Sequence, residues 1–237
     1  MCVQCNVMRR RGFLSLSAAG LVGAGLVGAG LSARSARAAD AISPDEALAR
    51  LKAGNQKFIN APQLCESDMA KQRAGVAKGQ APWATILTCA DSRVAPELLF
   101  GGVGLGELFV ARNAGNMADT ATMGTIEYGA EHLHSPLVVV LGHQNCGAVQ
   151  AACEVADKGT KLPGSIGPMV AAIVPAAKAV KGKPGDYVDN AVRENAKRTA
   201  AKIVKESEIV SELIHHGKVK VVYARYDLNT GAVDFLS

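Results

Sequence analysis

The stretch PLVVVLGHQNCGAV, residues 136–149, joins a continuous apolar run to two metal-compatible side chains. The run is rich in β-branched residues, which is typical of a parallel strand covered on both faces. His143 and Cys146 follow it directly, and the residues from 147 to 157 have helical spacing. An imidazole and a thiolate at this spacing can bind one ion, but a tetrahedral site needs at least one more ligand.

A second buried strand supplies a candidate for that ligand. The run ATILT, residues 84–88, is short and apolar and leads into Cys89. Because reactive groups of open α/β sheets gather at the carboxyl ends of the strands, adjacent strands would bring Cys89 beside His143 and Cys146. Taken singly, each of these residues is more typical of a buried core position. Together they predict a metal site with two thiolates and one imidazole.

The remaining pattern predicts one α/β domain, with a mainly parallel central sheet flanked by helices and an antiparallel C-terminal strand. Ser43, Pro44 and Glu46 form a capping box at a helix start. Further strands are expected at residues 107–112 and in VKVVYARYDLNTGAVDFL, where NTG turns the chain back. Helices are expected at residues 120–133, 166–181 and 190–217, the last ending at Gly217.

The number of protein ligands separates structural from catalytic zinc sites, since catalytic sites leave the fourth position open. Cys65 and Cys153 have no strand-end placement that would make either one a fourth ligand. Asp91 and Arg93 follow Cys89 closely instead, and a guanidinium at this spacing can bind a carboxylate through two hydrogen bonds. Such a pair keeps Asp91 ionised, although taken alone it is also a common way to brace a loop.

The first 38 residues are interpreted as a targeting signal. They contain five arginines and no acidic residue, and their sequence RRRGFLSLSAAG followed by a Gly/Ala-rich run and ARA resembles a twin-arginine export signal. We therefore expect a cleaved signal at residues 1–38, a mature domain at residues 39–237, contact with the twin-arginine translocation machinery and a periplasmic location. An uncleaved membrane anchor is the alternative. Cys2 and Cys5 fall in the segment expected to be removed.

Without this segment the chain has 21 basic and 21 acidic side chains. A formally neutral domain with 4% aromatic residues has no basic surplus for a nucleic-acid surface, so no nucleic-acid partner is expected.

Four motifs resemble the β-class carbonic anhydrases in order and spacing: CADSRVAPE (89–97), LFVARNAGN (108–116), IEYGAEHL (126–133) and GHQNCGAV (142–149). The combination of C-x-D-x-R with a later H-x-x-C is highly specific, and the resemblance covers nearly the whole mature chain. It implies a zinc lyase that hydrates CO2 reversibly to bicarbonate and a proton, through hydroxide formed from zinc-bound water. One zinc ion per chain is implied, in a homodimer or a higher even-numbered homo-oligomer.

Residue by residue, the resemblance makes Cys89, His143 and Cys146 the zinc ligands and Asp91–Arg93 the catalytic pair. In some members the aspartate leaves the arginine and becomes a conditional fourth ligand. Substrate-binding positions are implied at Gln80, Phe109, Ala114, Tyr128 and Gly147, with pocket groups contributed by both chains of a dimer. Members with a non-catalytic bicarbonate site have tryptophan where this chain has Ile86, which favours water at the fourth zinc position.

Two other functions stay open at this point. A carbonyl sulfide or carbon disulfide hydrolase would use the same scaffold and the same metal ligands, with a different pocket lining. A non-catalytic periplasmic zinc or thiol-redox protein would use Cys89 and Cys146 as a redox couple. The proton-transfer group is not assigned by the pattern, and four histidines are candidates only by type: His132, His134, His215 and His216.

Overall fold

The computed structural model describes residues 42–60 and 69–236. Its strands are β1 (Ala84–Cys89), β2 (Leu108–Asn113), β3 (Leu137–His143), β4 (Lys220–Tyr226) and β5 (Val233–Phe235). Its helices are α1 (Pro44–Asn60), α2 (Met69–Val76), α3 (Pro96–Leu99), α4 (Thr120–Glu131), α5 (Gly147–Lys158), α6 (Ile166–Ala171), α7 (Val174–Val180), α8 (Tyr187–Glu206) and α9 (Glu208–His215). The predicted signal segment and Cys65 lie outside the described residues.

One sheet with the order β2-β1-β3-β4-β5 forms the centre. The first four strands are parallel to their neighbours, and β5 is antiparallel to β4. This confirms the predicted α/β class, the mainly parallel sheet and the antiparallel final strand. β1 and β3 are buried at every position, as expected for strands covered on both faces.

Alternate residues of the central strands face two different helical layers. Ile86 and Val139 pack in the cluster that contains the apolar residues of α1. Leu87 and Val138 pack instead against residues of α4, α8 and α9. A third cluster, formed mainly by α5, α7 and α8, lies around Cys89 and Cys146. Because side chains of a strand alternate between faces, each strand contributes to the core on both sides of the sheet.

The beginning of α1 confirms the predicted capping box. The Ser43 hydroxyl accepts the backbone N–H of Glu46 at 3.2 Å, and the Glu46 carboxylate accepts the backbone N–H of Ser43 at 2.8 Å. Among the described residues, no helix combines the length and apolar character needed to cross a membrane.

Two predicted helices are each divided in the structure. The helix expected at residues 166–181 is interrupted between α6 and α7, where Pro175 has no backbone N–H for the carbonyl one turn earlier. The helix expected at residues 190–217 begins earlier, at Tyr187, and breaks at Ser207, whose backbone is extended. The Ser207 hydroxyl accepts the N–H of Val210 and donates to Glu127, so capping replaces helix continuation. Gly217 then follows α9 with a φ of 67°, as predicted.

Candidate metal centre

Three donor atoms meet at the carboxyl ends of neighbouring strands. β1 ends at Cys89 and β3 ends at His143, while Cys146 precedes the first residue of α5. The ligand atoms of these three residues all lie within 4.8 Å of one another, and all three residues are buried. The two sulfurs are 3.9 Å apart, close to the separation of about 3.8 Å that tetrahedral bonds of ~2.3 Å to zinc require.

The imidazole of His143 is oriented for binding through one nitrogen. Its Nδ1 lies 2.9 Å from the backbone oxygen of Gln144, which assigns the ring proton to Nδ1. Its Nε2 is buried and has no hydrogen-bond partner among the described residues. Buried polar atoms are normally satisfied, and a metal ligand typically donates its other nitrogen to a carbonyl in this manner. The surroundings of His143 therefore fit a metal ion.

Gln144 is itself fixed by the C-terminal strands. Its backbone N–H donates to the oxygen of Tyr226 at 2.8 Å, and its side-chain oxygen accepts the N–H of Leu228 at 3.1 Å. The carbonyl that orients His143 is consequently held by contacts with β4 and with the turn that follows it.

The two thiols share a hydrogen bond that favours one thiolate. Donation from Cys146 lowers the pKa of the Cys89 thiol to about 4. The pKa of Cys146 is raised because its proton is engaged with the sulfur of Cys89. Binding of a cation by both sulfurs requires release of this shared proton, so the affinity of the site for a metal increases with pH.

Asp91 and Arg93 lie at the opening of the donor set. The Arg93 Nε donates to Asp91 Oδ1 at 2.9 Å and its Nη2 donates to Oδ2 at 2.8 Å. These bonds lower the pKa of Asp91, so the carboxylate is ionised at neutral pH. Its Oδ2 is 3.8 Å from the Nε2 of His143, which places an anionic acceptor beside the metal position.

The residues predicted to bind substrate lie in three separate places in the structure. Gly147 begins α5 next to Cys146, and Ala114 lies in the turn after β2, one residue before a backbone N–H that reaches Cys89. Phe109 and Tyr128 instead contact each other, with ring centroids 6.0 Å apart. Phe109 pairs with Thr85 and Asn113 with Cys89, so Phe109 lies four residues, or ~13 Å, below the metal end of the sheet. Gln80 is exposed in the segment between α2 and β1.

The family model described as carbonic anhydrase matches residues 84–233 of this chain. These residues include all three candidate metal donors and the Asp91–Arg93 pair. The chain belongs to the carbonic anhydrase family. Carbonic anhydrase 2 of Mycobacterium tuberculosis is 38% identical over 189 residues, covering 80% of this chain and 91% of that protein. The carbonic anhydrase of Mycolicibacterium smegmatis is 34% identical and covers 82% of this chain and 94% of that protein.

Solved structures place the chain in the β class of this family. The β-carbonic anhydrase of Coccomyxa in complex with acetazolamide aligns with a TM-score of 0.61 and 30% identity, covering 70% of this chain and 77% of that one. The β-carbonic anhydrase CcaA aligns with the same TM-score at 26% identity, over 80% of this chain and 98% of that one. The fold that surrounds the donor set is therefore the β-carbonic anhydrase fold.

The structure also shows residues near the site that sequence reasoning missed. Arg112 donates to the backbone oxygens of Cys89 and Asp91 at 3.0 and 2.6 Å, and so fixes the loop that carries the Asp91–Arg93 pair. Asn195, on the buried face of α8, donates to the backbone oxygen of Gly115 at 2.9 Å. A polar amide among the apolar positions of an amphipathic helix was a signal that could have identified Asn195. Arg112 gave a weaker signal, as a charged residue near the carboxyl end of a strand.

Proposed function

We propose that this chain is a zinc-dependent carbonic anhydrase that hydrates CO2 reversibly to bicarbonate and a proton. The observation that carries the proposal is the buried Cys89–His143–Cys146 donor set, with the ionised Asp91 beside it, in a chain of the carbonic anhydrase family. Two cysteines and one histidine are ligands that zinc prefers, and three protein ligands are typical of catalytic rather than structural zinc sites.

The chemistry of the donors supports zinc as the resident metal. Bound zinc supplies a Lewis acid that lowers the pKa of a water molecule and so provides a nucleophile near neutral pH. The sulfurs and the free Nε2 of His143 converge from two strand ends, and the Nδ1 contact fixes the ring plane. One zinc ion per chain is expected.

The catalytic pair is expected to control the proton at the site. Asp91 accepts two hydrogen bonds from the Arg93 side chain and has no proton to donate. Towards an oxygen at the metal position it can therefore act only as an acceptor, and it favours an oxygen that carries a proton. It thereby selects the orientation of the attacking group. Arg93 binds both oxygens of the carboxylate and so restrains Asp91 beside the metal position rather than on it. This restraint supports water as the resting fourth ligand.

Gly147 supports binding of the anionic product. It is the first residue of the twelve-residue helix α5, and its surface is open because a Cβ added there would meet no atom within 4 Å. The first backbone N–H groups of a helix have no partner within the helix and favour anions. Bicarbonate formed beside Cys146 would therefore lie near favourable donors.

The active site is proposed to require a second chain. Phe109 and Tyr128, predicted to line the substrate pocket, lie along β2 and α4 rather than at the metal end of the sheet. β2 is an edge strand with half-buried Leu108, Phe109 and Val110, and Tyr128 is 49% exposed. An apolar edge of this kind favours pairing with another chain. An even-numbered homo-oligomer would cover it and bring pocket residues to a neighbouring metal centre.

We further propose export of the folded protein to the periplasm by the twin-arginine pathway, supported by the paired arginines and the ARA sequence at residues 36–38. Folding around the metal before export would protect the thiolates from oxidation. N-terminal sequencing of protein isolated from the periplasm should begin at Ala39. Recovery of full-length chain in the membrane fraction would instead support the uncleaved anchor.

Stopped-flow measurement of CO2 hydration by residues 39–237 tests the enzymatic proposal. Cys89→Ser should reduce both the bound zinc and the hydration rate to background, because it removes one of three protein ligands. Cys153→Ser is the matched control, since Cys153 is also a buried free cysteine but lies outside the donor set. Equal rates for Cys89→Ser and the unmodified protein would overturn the proposal. Parallel assays with carbonyl sulfide and carbon disulfide would show whether another substrate is preferred.

A further inference from the structure

The turn after β2 approaches the metal centre and is held closed by one side chain. Asn113 accepts the backbone N–H of Met117 at 2.8 Å and donates to the backbone oxygen of the same residue at 2.7 Å. It also donates to the hydroxyl of Thr122 in α4. Residues 113–117 therefore form a compact loop with a defined position relative to the sheet.

Gly115 lies at the inner side of this loop and contacts a metal donor. Its backbone N–H donates to the Sγ of Cys89 at 3.4 Å. Its φ is +83°, and a Cβ at this position would lie 2.5 Å from Cδ1 of Ile173 and 3.3 Å from Cβ of Ala148. Glycine is favoured here by the left-handed backbone conformation, and any side chain at this position would also displace the end of Ile173.

Asn195 fixes the other side of the same residue. It is 4% exposed and its Nδ2 donates to the backbone oxygen of Gly115 at 2.9 Å. Its neighbours on the buried face of α8 include Val192 and Ala196. A buried amide among apolar side chains costs free energy unless it is hydrogen-bonded, so this contact defines the position of the loop relative to α8.

We propose that Asn195 is a positioning residue of the metal centre, which holds Gly115 so that its N–H donates to the Cys89 thiolate. The inference rests on the proposed function in one respect, namely that Cys89 binds a metal ion. Asn195 does not touch the substrate or the metal. It acts through the Gly115 backbone, on a donor more than 100 positions away in the sequence.

The physical consequence concerns the charge on sulfur. Two thiolates offset the charge of a divalent ion, which weakens its effect on bound groups. An N–H directed at one thiolate holds part of that charge on the sulfur, so the metal stays more electrophilic. Loss of such an outer contact typically reduces metal affinity or activity by roughly 10- to 100-fold.

Nuclear magnetic resonance of protein containing 113Cd in place of zinc measures this contact directly. Scalar coupling between 113Cd and the Gly115 amide proton is transmitted through the Cys89 sulfur only if the hydrogen bond exists. We expect coupling in the unmodified protein and its loss in Asn195→Leu, which keeps a similar volume but has no donor. Hydration activity of the zinc form should fall by roughly 10-fold or more.

Asn190→Leu is the matched control. Asn190 also belongs to α8 and also donates through Nδ2 to a backbone oxygen at 2.9 Å, but its acceptor is Pro184, in the turn before the helix. This variant should keep both the coupling and the activity.

Absence of the coupling in unmodified, cadmium-loaded protein would overturn the inference without requiring any variant to fold. Unchanged coupling and activity in Asn195→Leu, or an equal loss in Asn190→Leu, would also overturn it. These results leave the proposed function intact. A chain that binds neither zinc nor cadmium would refute the proposed function, and this inference with it.

Discussion

At the scale of single residues, the two nitrogens of His143 show how local contacts prepare a side chain for metal binding. One nitrogen is engaged by a carbonyl and the other is buried without a protein partner. Asp91 shows the complementary case, since both of its carboxylate oxygens are engaged by Arg93. One residue is therefore directed towards a metal, and the other is restrained beside it.

Asp227 is expected to make the stability of the fold sensitive to acid. Hydrogen bonding by Arg225 lowers the pKa of Asp227 to about 2, compared with ~3.9 in an unfolded chain. The carboxylate also accepts the backbone N–H groups of Asn229 and Thr230. Because the folded pKa is the lower one, this stabilisation is present above pH ~4 and is lost as the pH falls towards ~2.

Urea unfolding of Asp227→Asn at pH 7, 4 and 3 measures this effect. The variant should be less stable than the unmodified protein at pH 7, and the difference should shrink as the pH falls. Both proteins keep the same three metal ligands, so acid-induced metal loss is common to the two unfolding measurements. Asp157→Asn, which affects an ion pair with the exposed Lys181, is the control and should change stability little. A difference independent of pH would contradict the prediction.

At the scale of helices and strands, tertiary contacts decide where several elements end or approach. Ser207 ends α8 and caps α9. Its side chain is buried, and its hydroxyl donates to Glu127 and accepts the N–H of Val210, which a continuous helix would not allow. Gly54, in the middle of α1, illustrates a conflict between helix propensity and packing. A Cβ there would lie 2.0 Å from the backbone oxygen of Phe100.

Gly54→Ala should destabilise the protein even though alanine is the better helix former. The propensity gain is ~1 kcal/mol, whereas a clash with a backbone oxygen exceeds it, and we expect a net loss of about 1–2 kcal/mol. Gly124→Ala in α4 is the matched control, because a Cβ there meets no atom within 4 Å. It should stabilise the protein by about 0.5–1 kcal/mol. Equal effects of the two substitutions on the free energy of unfolding in urea would show that contact with Phe100 does not exclude a side chain at position 54.

At the scale of the whole molecule, the sheet has one apolar edge at β2 and one short edge at β5. The β2 edge carries Val110, and Phe109 of the same strand contacts the exposed Tyr128 ring. Covering this edge with another chain would remove an aggregation hazard. On the proposed function, it would also complete the substrate pocket.

Analytical ultracentrifugation should show an even number of chains for residues 39–237. Val110→Lys should dissociate the oligomer, because a charged residue on an edge strand opposes pairing, and should reduce CO2 hydration together with association. Val204→Lys is the control, placing the same change on an exposed position of α8. A fully active monomer would contradict the requirement for a second chain.

Residue order alone predicts the α/β class, the buried strands, the capping box of α1 and the three candidate metal donors. These features depend on residue type and on periodicity within a few neighbouring positions. The spacing of C-x-D-x-R and H-x-x-C additionally indicates the protein family. Three features follow instead from three-dimensional contacts: the break at Ser207, the contact from Asn195 to Gly115 and the location of Phe109 away from the metal end. The first two join residues 80 positions apart, and the third depends on strand register. Packing between distant segments determines all three features, so they cannot be predicted from a local sequence pattern.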